Sequence, residues 1–327
     1  MLVGLAGCMI GCVTGCSRLA TEPEQRSGPA ATRPRVVCTT TVVADLVRQV
    51  GGDRVTVECL MPAGVDPHSY RATPRDADRL AAADLVVASG LRLEGKLADL
   101  LARLGRRVPV VAAADGVPRG ELLATGPDAV DPHVWFDAAL WGRCATAVAE
   151  ALARIDPSDA EGHRSRAADY AARLAALDAD VRARIATIPA GRRMLVTAHD
   201  AFRYFGRAYG LEVVGVQGAS TESEAGLGDL NRLVDTLVER GIPAVFVETS
   251  VADRNVAALV EGAAARGHAV SLGGRLHSDS LGGPGSGAET LEAALAANVA
   301  VIVAALAGPS TPRQPAAISE PAAAVTP

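Results

Sequence analysis

Asp-Pro-His occurs twice in the chain, at Asp66-Pro67-His68 and at Asp131-Pro132-His133. Proline fixes its own φ and turns the residue before it towards extended backbone, so each tripeptide presents its imidazole from a stiff loop. Imidazole is the commonest biological ligand for a transition metal. A third histidine, His199, and an aspartate, Asp279, each lie just past a run of residues that reads as a β-strand. Three imidazoles and one carboxylate can chelate a divalent cation. The four positions are separated by 65, 66 and 80 residues, so no single helix or hairpin unites them and only tertiary structure can.

The elements that must position them alternate. Arg35–Thr40, Val55–Leu60, Leu85–Ser89 and Arg107–Ala112 read as strands. Between them come a helix over Val42–Val50 and a second that Thr73 caps, Pro74 opens and Ala83 ends. A long helical stretch from Pro157 to about Ile188 carries Leu174, Leu177, Val181 and Ile185 at helical spacing. The alternation then restarts with strands at Met194–Thr197, Glu212–Val216, Ala244–Val247 and Ala269–Leu272, and an Ala-rich helix over Leu291–Leu306 closes it. The pattern predicts an α/β protein with parallel sheets covered on both faces, four strands to each half, and the long helix as connector. His68, His199 and Asp279 fall at or after the C-terminal ends of strands, the edge where open α/β sheets bind ligands. A site shared by both halves lies in the cleft between them.

At 327 residues the chain is long enough for two such lobes, and its core must be built from Ala, Val and Leu because aromatics make up only 3%. Lys96 is the single lysine among 32 basic residues, a sign of base-composition bias rather than of phosphate recognition. A net charge of −5 argues against a nucleic-acid partner, which leaves a basic footprint. The glycine-rich run from Gly282 to Gly287 does not open a strand–turn–helix nucleotide motif and reads as a surface turn.

The ends carry a different signal. Residues 1–16 are apolar but too short to span a bilayer, and they read as an export signal. Val13-Thr14-Gly15-Cys16-Ser17 resembles a bacterial lipobox, which makes Cys16 the lipidated residue; Leu5-Ala6-Gly7-Cys8 fits the pattern too if the true start lies upstream. Residues 17–34 read as a flexible tether, 35–156 as the first lobe, 157–188 as the connecting helix, 189–308 as the second lobe, and the Pro/Ala-rich 309–327 as a disordered tail. Cys38 and Cys59 sit in neighbouring strands, where they can be a disulfide or plain core residues, and Cys144 is left over.

Six segments in order carry a family resemblance. They are Pro62 to Tyr70 (PAGVDPHSY), Asp131 to Asp137 (DPHVWFD), Ala198 to Phe205 (AHDAFRYF), Gln217 to Glu224 (QGASTESE), Val245 to Val251 (VFVETSV) and Ser278 to Gly282 (SDSLG). Over about residues 35–307 the chain resembles the metal-binding receptors of bacterial ABC importers for zinc and manganese, the TroA-like, cluster A-I or lipoprotein-receptor-antigen family. The resemblance implies two Rossmann-like lobes with parallel four-stranded sheets, a long rigid linking helix, and one divalent metal held by His68, His133, His199 and Asp279. It also implies an extracytoplasmic monomer, anchored to the membrane through its N-terminal lipid and delivering its ion to an ABC permease. The chain departs from the pattern in places. Manganese-selective relatives usually carry Glu where His199 stands, the His-rich loop of many zinc-selective relatives is missing from Ala113 to Val130, and the last helix opens Glu289-Thr290-Leu291-Glu292-Ala293.

Three imidazoles and a carboxylate favour Zn²⁺ on coordination geometry and on the Irving–Williams order; Mn²⁺ comes second, helped if Asp279 binds through both oxygens, and Fe²⁺ third. Imidazole ligands need a partner on the other ring nitrogen, and Glu248, at a strand end in the second half, is the best candidate. Asp66 and Asp131 read as Asx turns before proline, and His277 as a packing residue. His163 and His268 default to the surface. Two other functions use the same residues. A mononuclear zinc hydrolase needs an open coordination position, which a fourth protein ligand removes. A surface adhesin would need a partner that nothing in these residues encodes.

Overall fold

Strands Arg35–Cys38 (β1), Thr56–Cys59 (β2), Leu85–Ala88 (β3) and Val110–Ala112 (β4) form one parallel sheet in the order β2-β1-β3-β4. This computed structural model describes residues 33–222 and 226–308. The leader, Cys16, all but the last two tether residues, the tail and residues 223–225 lie outside that range. No helix among the described residues is long and apolar enough to cross a membrane.

Period-2 alternation along β1 sends Val36 and Cys38 into one core and Val37, with Leu80, Val86 and Leu97, into another on the opposite face. Helix α1 (Thr41–Gly51) starts where the Thr40 hydroxyl accepts from Val43 N, and α2 (Pro74–Ala81) where Thr73 and Asp76 cap each other's backbone. Helix α3 (Ala98–Leu104) precedes β4, and a small antiparallel hairpin, Ala124–Gly126 (β5) with Ala129–Val130 (β6), leads into Asp131. Cys38 and Cys59 are register partners across β1 and β2, and both are free thiols.

The connector is one arm of a helical pair. Helix α4 (Ala138–Ile155), capped by the Asp137 side chain, turns at Asp156-Pro157 into α5 (Ala160–Ile185), and the two pack along each other. At 1.5 Å per residue, α5 reaches about 39 Å. It packs along α4 and also lies against α1, Arg203–Tyr209 (α6) and Leu291–Ala307 (α9). Its buried stripe, Ala167, Tyr170, Leu174, Val181 and Ile185, belongs to a core that runs without a break from Val36 to Leu306. A helix packed on both lobes through one core resists bending at its middle.

In the second lobe Met194–His199 (β7) pairs in parallel with Glu212–Gln217 (β8), and Ala244–Glu248 (β9) with Ser271–Leu276 (β10), while β7 and β9 lie side by side. Here the hydrogen-bonded ladders are two parallel pairs, whereas the first lobe has one continuous ladder. Helices α7 (Leu227–Arg240) and α8 (Arg254–Ala265) complete the alternation.

The last strand runs further than its sequence predicts. Gly273-Gly274 looks like a terminator after Leu272, but the strand continues to Leu276 through a register shift between Leu272 and Gly274. A Cβ at Gly273 would lie 2.6 Å from the Phe246 ring and 2.9 Å from Ala305, and Gly274 has φ +138°. The two glycines admit α9 close to the sheet.

Candidate metal centre

His68, His133, His199 and Asp279 come together. One ligand atom from each lies within 4.8 Å of all the others, and all four residues are buried. The Asp279 carboxylate is the hub: Oδ1 is 3.3 Å from His133 Nε2, while Oδ2 is 3.2 Å from His199 Nε2 and 3.7 Å from His68 Nε2. His68 Nε2 and His133 Nε2 are 3.3 Å apart. Each lobe contributes two of the four, the first through loops and the second through the last residue of β7 and the loop after β10.

Sequence-local features hold each group. The Asp66 carboxylate accepts from His68 N at 2.9 Å, and that of Asp131 from His133 N at 3.0 Å, so both Asp-Pro-His loops are Asx turns. Asp131 does more, because its Oδ1 is also 2.7 Å from His133 Nδ1 and orients the ring. The turn reading of Asp131 is therefore incomplete, since the same oxygen serves backbone and imidazole. Glu248 Oε2 lies 2.7 Å from His199 Nδ1, and its Oε1 accepts from His199 N at 2.9 Å. Two of the three imidazoles thus face a carboxylate through Nδ1 and Asp279 through Nε2.

A packing signal in the sequence went unread. Phe136 follows His133 by three residues and Phe202 follows His199 by three, and their rings stack at 4.3 Å. Trp135 packs edge-on to His133 at 5.3 Å and donates from Nε1 to Ser278 O, beside Asp279. Tyr204 of α6 donates to Asp131 O. These contacts cross between lobes directly behind the four clustered side chains and help set the spacing of the two halves of the cluster.

Electrostatics show what the cluster wants. Burial opposes protonation of His133, yet Asp131 and Asp279 outweigh it and lift the pKa to about 9. His199 follows the same course, with burial outweighed by Glu248 and Asp279, and rises well above the usual imidazole value. His68 has no such pair of carboxylates, and burial pushes it down to about 4. Burial would raise Asp279, but the His199 and His133 rings hold it well below the ordinary carboxylate range. Both Asp279 oxygens and His199 Nε2 are buried without a hydrogen-bond partner among the described residues. Buried polar atoms rarely stay unsatisfied, and a cation at their centre would satisfy all three.

The remaining candidates fall elsewhere. His277 is half-buried and outside the cluster. His268 is half-buried, its Nε2 2.8 Å from Ile242 O. His163, expected at the surface, is fully buried. It sits with Asp156 and Asp159 in a second acidic group, but Arg54 holds Asp156 through two nitrogens and Arg166 holds Asp159 at 2.6 Å. Two guanidiniums already neutralise the two carboxylates, so this group is an ion-pair knot under α5 that buries the histidine through tertiary contacts.

Two α/β lobes bridged by a helix, with a buried three-histidine, one-carboxylate cluster between them, define a protein built to enclose a cation. The family model for the periplasmic zinc-uptake complex component A matches residues 36–305, and the chain belongs to that family. It is 42% identical to the manganese-binding lipoprotein MntA of Bacillus subtilis (strain 168), over 90% of this chain and 95% of that protein. It is also 42% identical to the zinc-binding protein TroA of Treponema pallidum (strain Nichols), over 84% of this chain and 89% of that one. The solved structure of the T. pallidum periplasmic zinc-binding protein TroA superposes with a TM-score of 0.82, covering 84% of this chain and all of that one.

Proposed function

We propose that this protein captures one divalent metal ion outside the cytoplasm and hands it to a membrane permease of the ABC type. The observation that carries this reading is the buried Asp279 carboxylate, facing three imidazole nitrogens with neither oxygen otherwise engaged. His68, His133, His199 and Asp279 are the ligands. Asp131 and Glu248 orient His133 and His199 from behind. Four protein groups around one ion leave no position for an attacking water, so the site suits capture rather than turnover.

The cargo is zinc in preference to manganese, with iron third. Three nitrogens and a carboxylate fit four-coordinate zinc, and the Irving–Williams order favours it at such donors. The relatives' names divide between the two metals at equal identity, so donor chemistry is the better guide. Residues 1–16 act as the export signal, Cys16 carries the lipid, 17–34 form the tether, and the monomeric two-lobed body spans 35–156 and 189–308 about its linking helix.

Competition tests the assignment. Protein stripped of metal is dialysed against equal Zn²⁺ and Mn²⁺, and the bound fraction is measured by elemental analysis. One ion per chain, mostly zinc, is expected. Manganese in excess of zinc would reverse the preference, and protein that retains neither ion would overturn the receptor reading.

A further inference from the structure

The mouth of the cleft is crossed by residues 218–222, which follow β8 in the second lobe and are fastened to the first lobe at two points. Thr221 Oγ1 donates to Asp66 Oδ2 at 2.7 Å, and Glu222 Oε1 lies 2.5 Å from Lys96 Nζ. Lys96 is the only lysine of the chain. A cavity of about 460 Å³ opens under this segment, with His68 at one wall and Gly218, Ser220 and Glu222 at the other. His68 is the least enclosed ligand, at 4% exposure against 0–1% for the rest, so an ion leaving by this mouth passes beneath the segment.

The platform that presents Lys96 is held rigid. Leu91 and Arg92, in the loop after β3, have φ of +52° and +66°, a left-handed conformation that side chains other than glycine's rarely adopt. Strain of this kind persists only where surrounding contacts over-determine it, and it clusters at clamps and switches. Here the contact is Glu94, a buried carboxylate that accepts from Thr39 Oγ1 at 2.5 Å, Ser89 N at 2.7 Å and Gly90 N at 3.4 Å. Glu94 ties this loop to the end of β1, two residues short of Lys96. One side of the latch therefore stands on a fixed base, and the other is a short segment joined to the second lobe's sheet.

We propose that residues 218–222, latched by the Lys96–Glu222 ion pair and the Thr221–Asp66 hydrogen bond, form a strap that sets how fast a bound divalent cation leaves the cleft. The latch spans the lobes, so any motion that parts them at the mouth must break it, while none of Lys96, Thr221 and Glu222 belongs to the ligand cluster. This inference rests on the metal-receptor reading. Its two contacts are partly exposed, so each has the modest worth of a surface interaction and acts on rate rather than on the existence of the site.

The test is the release of Zn²⁺ from loaded protein into excess chromogenic chelator, followed by stopped flow. Lys96→Met, Glu222→Gln and Thr221→Val should still bind one ion per chain but release it about two- to five-fold faster at low ionic strength. For the two charge variants the difference should shrink in about 1 M salt, where screening acts within about 3 Å. The exchanged pair, Lys96→Glu with Glu222→Lys, should return towards the wild-type rate, which a merely structural role would not produce. Single variants that release at the wild-type rate, or an exchanged pair as fast as either single variant, would overturn the strap while leaving the receptor intact. Wild-type protein that holds no zinc would overturn the receptor reading and the strap with it.

Discussion

Glu248→Gln changes one atom and should weaken metal binding by an amount the geometry supplies. Glu248 faces two donors of one residue: Oε1 accepts from His199 N at 2.9 Å, and Oε2 lies 2.7 Å from His199 Nδ1. For Nε2 to ligate a cation, the ring proton must sit on Nδ1, so both contacts require an acceptor. Glutamine has a single acceptor oxygen. If it stays on His199 N, the amide NH₂ meets Nδ1, draws the lone pair there and moves the ring proton to Nε2, where it blocks the metal. If the amide turns over, the buried His199 N–H loses its partner. Removing such an orienting carboxylate costs about 10- to 100-fold in metal affinity, about 1.4–2.7 kcal/mol. The variant is isosteric, so its metal-free fold should stay intact. Titration against a fluorescent chelator of known affinity gives the constant, and Trp135, 5.3 Å from the His133 ring, offers an internal fluorescence check. Affinity within two-fold of wild type would refute the claim that Glu248 sets the tautomer of His199.

Other expectations follow from the same structure. Without metal, His133 titrates at about 9 and His199 well above the usual value, so both rings carry protons near neutral pH. Loading must expel them, and calorimetry in buffers of different ionisation enthalpy should record release of about two protons per ion, with apparent affinity rising as pH rises towards 9; affinity that is flat between about pH 6 and 8 would contradict this. Burial raises the Glu94 carboxyl above its unfolded value, so folding takes up a proton between those two pKa values and this group's contribution to stability falls as pH rises through that window. Glu94→Gln should remove that slope in denaturant unfolding measured from about pH 4 to 7, and an unchanged slope would count against it. Gly273→Ala forces a methyl against Phe246 and Ala305 and should cost about 1–3 kcal/mol of stability, read as a lower urea midpoint at constant m.

The four clustered side chains were legible in the sequence because each is framed by its own neighbours, although only tertiary structure joins them. Asp-Pro-His announces a stiff imidazole twice, and His199 and Glu248 stand at the ends of strands whose apolar runs are plain. Most of what escaped was tertiary or multiple in role. Helix α4 is instead a plain omission, because its exposed Arg143, Thr146 and Arg154 and half-buried Glu150 recur every three or four residues opposite the buried Leu140, Trp141, Cys144, Val148 and Leu152. The glycines that end a strand by rule are here the gap into which α9 packs. His163 is buried against Val50 O, 113 residues upstream, and Arg166, three residues downstream, and no local pattern predicts the first contact. Asp131 looked like a turn residue and is one, but the same oxygen also steers its imidazole. The cross-cleft latch joins positions 96 and 222, beyond the reach of any spacing rule.

Metal content of purified protein, compared between the wild type and the His68→Ala and Asp279→Ala variants, reaches the central claim most directly. Each substitution removes one of the four proposed ligands, and Asp279→Ala also takes away the charge on which the three imidazoles centre. The wild type should carry one zinc or manganese ion per chain after exhaustive dialysis, and both variants should emerge folded and largely empty. Equal metal in all three proteins would place the ion elsewhere and contradict the account.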